Sequence, residues 1–210
     1  MGAILLALPM LLSSCEDILG HWEKPSPAEI PAPELPIQQT PLTLEAAEAG
    51  AQVTFTVKVA TGVEYSRDGK TWSAYASATP ITLDATGDKV MFRGTNAAYA
   101  SSASNYSNIS CTKDCYIYGN IMSLIKAEGF ENETSLTADY TFTDLFYNNN
   151  KIKNHATKDL VLPATKMTAY CYCQMFWKCT SLTRTPLLKV DCDGKVLCIA
   201  AMFQDCYELT

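Results

Sequence analysis

The chain has 210 residues and 23.0 kDa, enough for one large or two small domains; 48% hydrophobic residues with 10 Gly and 10 Pro support a packed core and exclude a fibrous or fully disordered chain. A net charge of -6, a pI of 4.9 and no run of Lys or Arg longer than two exclude the electrostatic footprint of a nucleic-acid binder. His21 and His155 are the only histidines, which leaves little material for general-base or metal chemistry at neutral pH.

Residues 1–14 carry no charge and are mostly Leu, Ala, Ile and Met. An apolar stretch of about 12 residues is too short to span a bilayer and reads as the core of a signal peptide. Leu12-Ser13-Ser14-Cys15 follows, and it resembles a bacterial lipobox. Cleavage is then expected before Cys15, whose thiol takes the lipid and anchors the chain to a membrane, since each buried methylene contributes about 0.8 kcal/mol. The alternative is a buried N-terminal helix ending in an ordinary cysteine. Glu16-Asp17 resembles the acidic export tag of Bacteroidota surface lipoproteins, which implies the outer face of the outer membrane.

Residues 15–41 read as a tether. Six of the ten prolines lie between Pro25 and Pro41, a spacing that favours polyproline II at about 3.1 Å per residue.

From residue 42 to 115 the pattern predicts a small antiparallel β-sandwich. Over 52–59, Val53, Phe55, Val57 and Val59 share one face, as in a half-buried strand. Val63–Ser66 and Thr71–Tyr75 flank Arg67-Asp68-Gly69-Lys70, where Asp-Gly supplies the turn of a tight hairpin. Ile81–Leu83 and Lys89–Arg93 are further short strands, and the Ser- and Asn-rich run 95–110 reads as loop and edge strand. Tyr65, Trp72 and Tyr75 are candidates for stacking on the apolar faces of sugar rings; equally, such aromatics pack a hairpin and cap a small core.

Residues 116–210 repeat. A shift of 27 places Cys171, Met175, Phe176, Cys179, Leu182 and Thr183 on Cys198, Met202, Phe203, Cys206, Leu209 and Thr210. A looser copy lies 30 residues upstream, with Phe146, Asn149 and Ile152 in the places of Phe176, Cys179 and Leu182. The shared unit is Phe-x-x-[Cys/Asn]-x-x-[Leu/Ile], with a period in the range of leucine-rich repeats. At its second position Asn can bond neighbouring backbone, or a small Cys can fill the space.

The segment Ala169–Thr183, preceded by Leu160-Val161-Leu162-Pro163-Ala164-Thr165, resembles the BspA-type leucine-rich repeats of Bacteroidota surface proteins. Residues 87–96 and 118–125 resemble the β-module and cap that precede such repeats. The resemblance implies a mainly β chain with short helical turns, in which a β-sandwich and an N-terminal cap lead into a leucine-rich-repeat solenoid. It also implies a non-enzymatic lipoprotein that binds a host or matrix protein, with no cofactor. With only about two and a half units, the array is expected to be part of a longer one. The alternative function is glycan capture through Trp72, Tyr75 and Trp177.

Eight cysteines remain after Cys15. Cys171 with Cys198 and Cys179 with Cys206 occupy equivalent repeat positions and are expected as ladders of buried thiols, the alternative being disulfides between stacked turns, while Cys111 and Cys115 form the best candidate bridge. Cys171-x-Cys173 without a nearby His is a poor start for a zinc site. No G-x-S-x-G, H-E-x-x-H, P-loop or G-x-G-x-x-G motif is present. Glu128, Glu131, Glu133 and Asp139 read as a solvated acidic face, and His155 as a solvated loop residue.

Overall fold

A computed structural model of the protein describes residues 35–189 and 191–210. The signal peptide, Cys15, the Glu16-Asp17 pair and the tether as far as residue 34 lie outside the described residues. Leu35–Thr210 is one compact unit, mainly β, with several sheets and no closed barrel. Among the described residues, no helix is long and apolar enough to cross a membrane.

Among the described residues thirteen short strands build it: β1 (Leu42–Ala46), β2 (Ala51–Thr56), β3 (Glu64–Ser66), β4 (Ser73–Ala74), β5 (Ile81–Leu83), β6 (Lys89–Arg93), β7 (Ala100–Ser102), β8 (Asn105–Tyr106), β9 (Asn108–Cys111), β10 (Cys115–Asn120), β11 (Ile152–Asn154), β12 (Leu160–Leu162) and β13 (Leu187–Leu188). The largest sheet runs β13-β12-β10-β1-β6-β3-β4, with β11 also on β10; a second sheet runs β5-β2-β9, and β7 pairs β8. Phe55 of β2 meets Phe92 of β6 edge to face at 5.4 Å, so the two sheets share one core with Leu42, Leu44, Val53, Leu83 and Val90.

The period-two pattern holds in β2, where Ala51, Val53 and Phe55 are buried in alternation. The strand stops at Thr56, short of the expected Val59. Beyond it the Val57 amide donates to the Ser77 hydroxyl and the Lys58 amide to the Ser107 hydroxyl, so side chains replace the ladder. The expected tight hairpin is wider: residues 67–72 connect β3 to β4, and only Gly69 has positive φ, at 75°. Asp68 organises this loop by accepting from the Lys70 and Thr71 amides at 2.8 and 2.7 Å, which holds its carboxyl well below the usual range. The run 95–110 supplies β7, β8 and β9, and Ile109 is fully buried.

Strand β10 joins the two halves expected as separate modules. Its first residues pair antiparallel with β1 and parallel with β11; its last two pair parallel with β12. The expected border at 115/116 therefore falls inside one strand of a continuous sheet. The switch of partner occurs at Gly119, whose φ is 98° and where a Cβ would collide with the Pro41 carbonyl. Pro41 bridges Asn120, and the Asn120 amide donates to Thr40, so the end of the expected tether belongs to the folded unit.

Candidate functional site

Three turn-rich segments, 139–149, 169–179 and 196–206, stack on one another at the spacings of 30 and 27 seen in the sequence. Within each, one set of amides closes i to i-3 turns, as Cys173 to Tyr170, Met175 to Tyr172 and Trp177 to Gln174. The intervening amides reach the next segment: Phe142, Asp144, Phe146 and Asn148 donate to Cys171, Cys173, Met175 and Trp177, and Tyr172, Gln174, Phe176 and Lys178 donate to Cys198, Ala200, Met202 and Gln204. This alternation requires a left-handed residue every fourth position. Those residues are Tyr140, Asp144 and Asn148; Tyr170, Gln174 and Lys178; Leu197, Ala201 and Asp205, with φ from 49° to 62°. None is glycine, so each carries roughly 1–2 kcal/mol of backbone strain that the hydrogen bonds between segments offset.

Equivalent side chains form columns. Phe146, Phe176 and Phe203 stack nearly parallel at 5.3 and 5.5 Å. At the Asn/Cys position, Asn149 donates to the Ile109 carbonyl at 3.1 Å, Cys179 to Phe146 at 3.0 Å and Cys206 to Phe176 at 3.0 Å. Each thiol thus takes over the donor role of Asn149, where filling of space was expected. Ile152 and Leu182 are buried, and Leu209 packs against the same core. The β-module covers the first segment: the Tyr99 and Ile109 amides donate to Thr141 and Leu145, and the Asn108 amide group donates to Asp144 and Tyr147.

On the side of the stack the columns emerge as a partly exposed aromatic ladder. Tyr106 of the β-module lies 6.3 Å from Tyr147, which lies 5.1 Å from Trp177. Lys58 sits 5.2 Å over Tyr106, and Lys178 lies 5.1 Å over Trp177 and 5.9 Å over Tyr147. The Trp177 indole donates to Asp205 at 3.0 Å, which fixes its ring. Sequence reasoning named only Trp177; the shift of 30 that aligns Tyr147 with Trp177 and Tyr140 with Tyr170 was the signal for Tyr147, and no repeat pointed to Tyr106. Tyr140 and Tyr170 stack at 4.7 Å. Asp144 is buried, its Oδ2 without a hydrogen-bond partner among the described residues, and burial pushes its carboxyl up to about 6.

The structure does not assemble Trp72, Tyr75 and Trp177 into one platform. Tyr75 is half-buried: its hydroxyl accepts from the Phe55 amide and donates to the Thr79 carbonyl, and with Tyr65 it lines a cleft of about 280 Å³. Trp72 lines a different cleft, of about 340 Å³, with Lys70, Glu128 and Phe130. There the Arg93 guanidinium packs 4.3 Å from its ring while pairing with Glu64 and Glu128.

The acidic residues expected on one solvated face have separate tasks. Glu128 pairs with Arg93, Glu133 with Lys126, and Asp139 accepts from the Ala169 amide. His155 is not a solvated loop residue. It is held between Tyr116 and Tyr118, 5.4 Å from each ring, and its Nδ1 accepts from the Thr157 and Lys158 amides. Glu45 lies beside it and accepts from the Tyr118 hydroxyl at 2.6 Å and from Lys158 at 3.0 Å.

The expected cysteine pattern is corrected. Cys198 is joined to Cys192 in a disulfide, and Cys171 donates instead to the Cys198 carbonyl. Cys111 and Cys115 are free thiols, not a bridge. Burial pushes the Cys171, Cys179 and Cys206 thiols up, which keeps them protonated. Among the described residues, no three His, Cys, Asp or Glu side chains converge as metal ligands.

Comparison of the chain with protein-family models, curated proteins and solved structures returns no match.

Proposed function

We propose that this chain is a lipid-anchored cell-surface protein, held to the outer membrane through Cys15, that presents a leucine-rich-repeat surface for protein binding in adhesion or host interaction. In this reading the stacked segments are successive turns of a BspA-type solenoid, and the β-sandwich is the module that closes its first turn. The observation that carries the binding role is the ladder Tyr106–Tyr147–Trp177 with Lys58 and Lys178. Tyr and Trp are the side chains that most often anchor protein interfaces, because they bring large contact area with little rotamer freedom. A ladder built on stacked, hydrogen-bonded segments presents that area already ordered, which lowers the entropic penalty of association.

The test is binding of the chain to arrayed matrix proteins and, in parallel, to arrayed host and plant glycans. Protein hits weakened at least tenfold by Trp177→Ala or Tyr147→Ala, about 1.4 kcal/mol or more, support the reading. Glycan hits abolished by Trp72→Ala overturn it in favour of glycan capture, and silence on both arrays leaves the chain as a spacer. Incorporation of labelled acyl chains, lost in Cys15→Ser, tests the anchor separately.

A further inference from the structure

We propose that the outer edge of segment 196–206 is a docking site for a turn-rich segment of the same kind carried by a partner protein, whose backbone carbonyls pair with a row of amides on this edge. Tyr140, Phe142, Asp144, Phe146 and Asn148 of the first segment donate to the second, and Tyr170, Tyr172, Gln174, Phe176 and Lys178 of the second donate to the third. A shift of 27 carries the latter set onto Leu197, Ile199, Ala201, Phe203 and Asp205. None of these five amides has an acceptor among the described residues, while the intervening Ala200, Met202, Gln204 and Cys206 amides close turns within their own segment.

The side chains change in step with the amides. Tyr172, Phe176, Cys179 and Leu182 are fully buried, but their equivalents Ile199, Phe203, Cys206 and Leu209 are only half-buried. Val196 and Leu197, beside them, are 57% and 54% exposed. The edge thus combines unpaired donors with the open end of an apolar column, and covering it with matching acceptors and apolar side chains satisfies both.

The polarity of the edge selects its occupant. It carries donors only, so its complement is an edge of acceptors. Two copies of this chain meeting through the edge would set donor against donor. Nor can a second copy add head to tail, because the carbonyl side of its first segment is covered: the Tyr99 and Ile109 amides donate to Thr141 and Leu145, and the Asn108 side chain to Asp144 and Tyr147. A segment repeating Phe-x-x-[Cys/Asn]-x-x-[Leu/Ile] has the required form. Seated on the first segment, 169–179 offers the carbonyls of Ala169, Cys171, Cys173, Met175 and Trp177 and lays Phe176 on Phe146 at 5.3 Å. On the third segment a like unit lays its Phe on Phe203. Recognition of this type is the counterpart of strand addition to a sheet edge: main-chain bonds supply affinity and the apolar column sets the register. The proposal is independent of the function proposed above, since it uses neither the aromatic ladder nor the lipid anchor.

The probe is the peptide Ala169–Thr183 with Cys171→Ala, Cys173→Ala and Cys179→Asn, added to the whole isotope-labelled protein while amide hydrogen exchange is read residue by residue. In the protein alone, the amides of Leu197, Ile199, Ala201, Phe203 and Asp205 are expected to exchange at least a hundredfold faster than those of Tyr172, Gln174, Phe176 and Lys178, which are paired. Saturating peptide is expected to slow the five at least tenfold. The same peptide carrying Phe176→Ser and Leu182→Ser is expected to bind at least tenfold more weakly. Exchange of the five left unchanged by millimolar peptide overturns the proposal. So does their protection in the protein alone; if that protection grows with protein concentration, the occupant is a second copy. Equal binding by the two peptides overturns the role of the apolar column.

Discussion

The ring of Tyr172 lies face to face with that of Phe142, 5.8 Å away and tilted by only 11°, and the hydroxyl that distinguishes the two residues has no hydrogen-bond partner among the described residues. They occupy the same place in successive segments, 30 residues apart, and both are fully buried. Burial pushes the Tyr172 hydroxyl well above its ordinary range, so it stays protonated and unpaired. Tyr172→Phe is expected to stabilise the protein by about 1–2 kcal/mol, because a buried donor without a partner carries its full desolvation penalty. Urea unfolding followed by far-UV circular dichroism checks this, and an unchanged or lower midpoint contradicts it.

Asp144 makes stability depend on pH. Its folded-state value of about 6 lies above the ordinary 3.8, so the folded state binds the proton more tightly than the unfolded one. Stability therefore falls as pH rises from about 4 through about 6 and is level above that. Asp144→Asn removes this slope and is expected to gain about 1–3 kcal/mol at pH 7, with little change at pH 4. Midpoints measured from pH 4 to 8 for both proteins test it; parallel profiles refute it.

Gln174 is left-handed, with φ of 55°, and donates its amide to Ala200 of the next segment. Gln174→Val places a β-branched side chain in that conformation and is expected to destabilise by about 2 kcal/mol. Gln174→Gly relieves the strain and is expected to fall within about 0.5 kcal/mol of the native protein. Equal loss in both variants would place the effect in the glutamine side chain instead of the backbone.

Some of this architecture was legible in the residues alone. Alternation of Val53 and Phe55 with polar neighbours marks β2, because side chains of an extended strand point to opposite faces. The spacing Phe146, Phe176, Phe203 marks the stack, because segments of like backbone bring equivalent positions into register.

Tertiary structure alone decided the rest. Besides Asp144, Asn148 and Asp205, the left-handed positions hold Tyr, Gln, Lys, Leu and Ala, residues with no local preference for that conformation; hydrogen bonds from one segment to the next impose it. His155 sits in a polar run, yet Tyr116 and Tyr118, almost 40 residues earlier, enclose it. Cys198 looked like the partner of Cys171 in a ladder but bonds to Cys192, and the ladder of Tyr147 and Trp177 is completed by Tyr106 of β8. Periodicity records which face of its own segment a residue takes. The neighbour it meets there is fixed by contacts between distant parts of the chain, which form only when the segments and sheets pack.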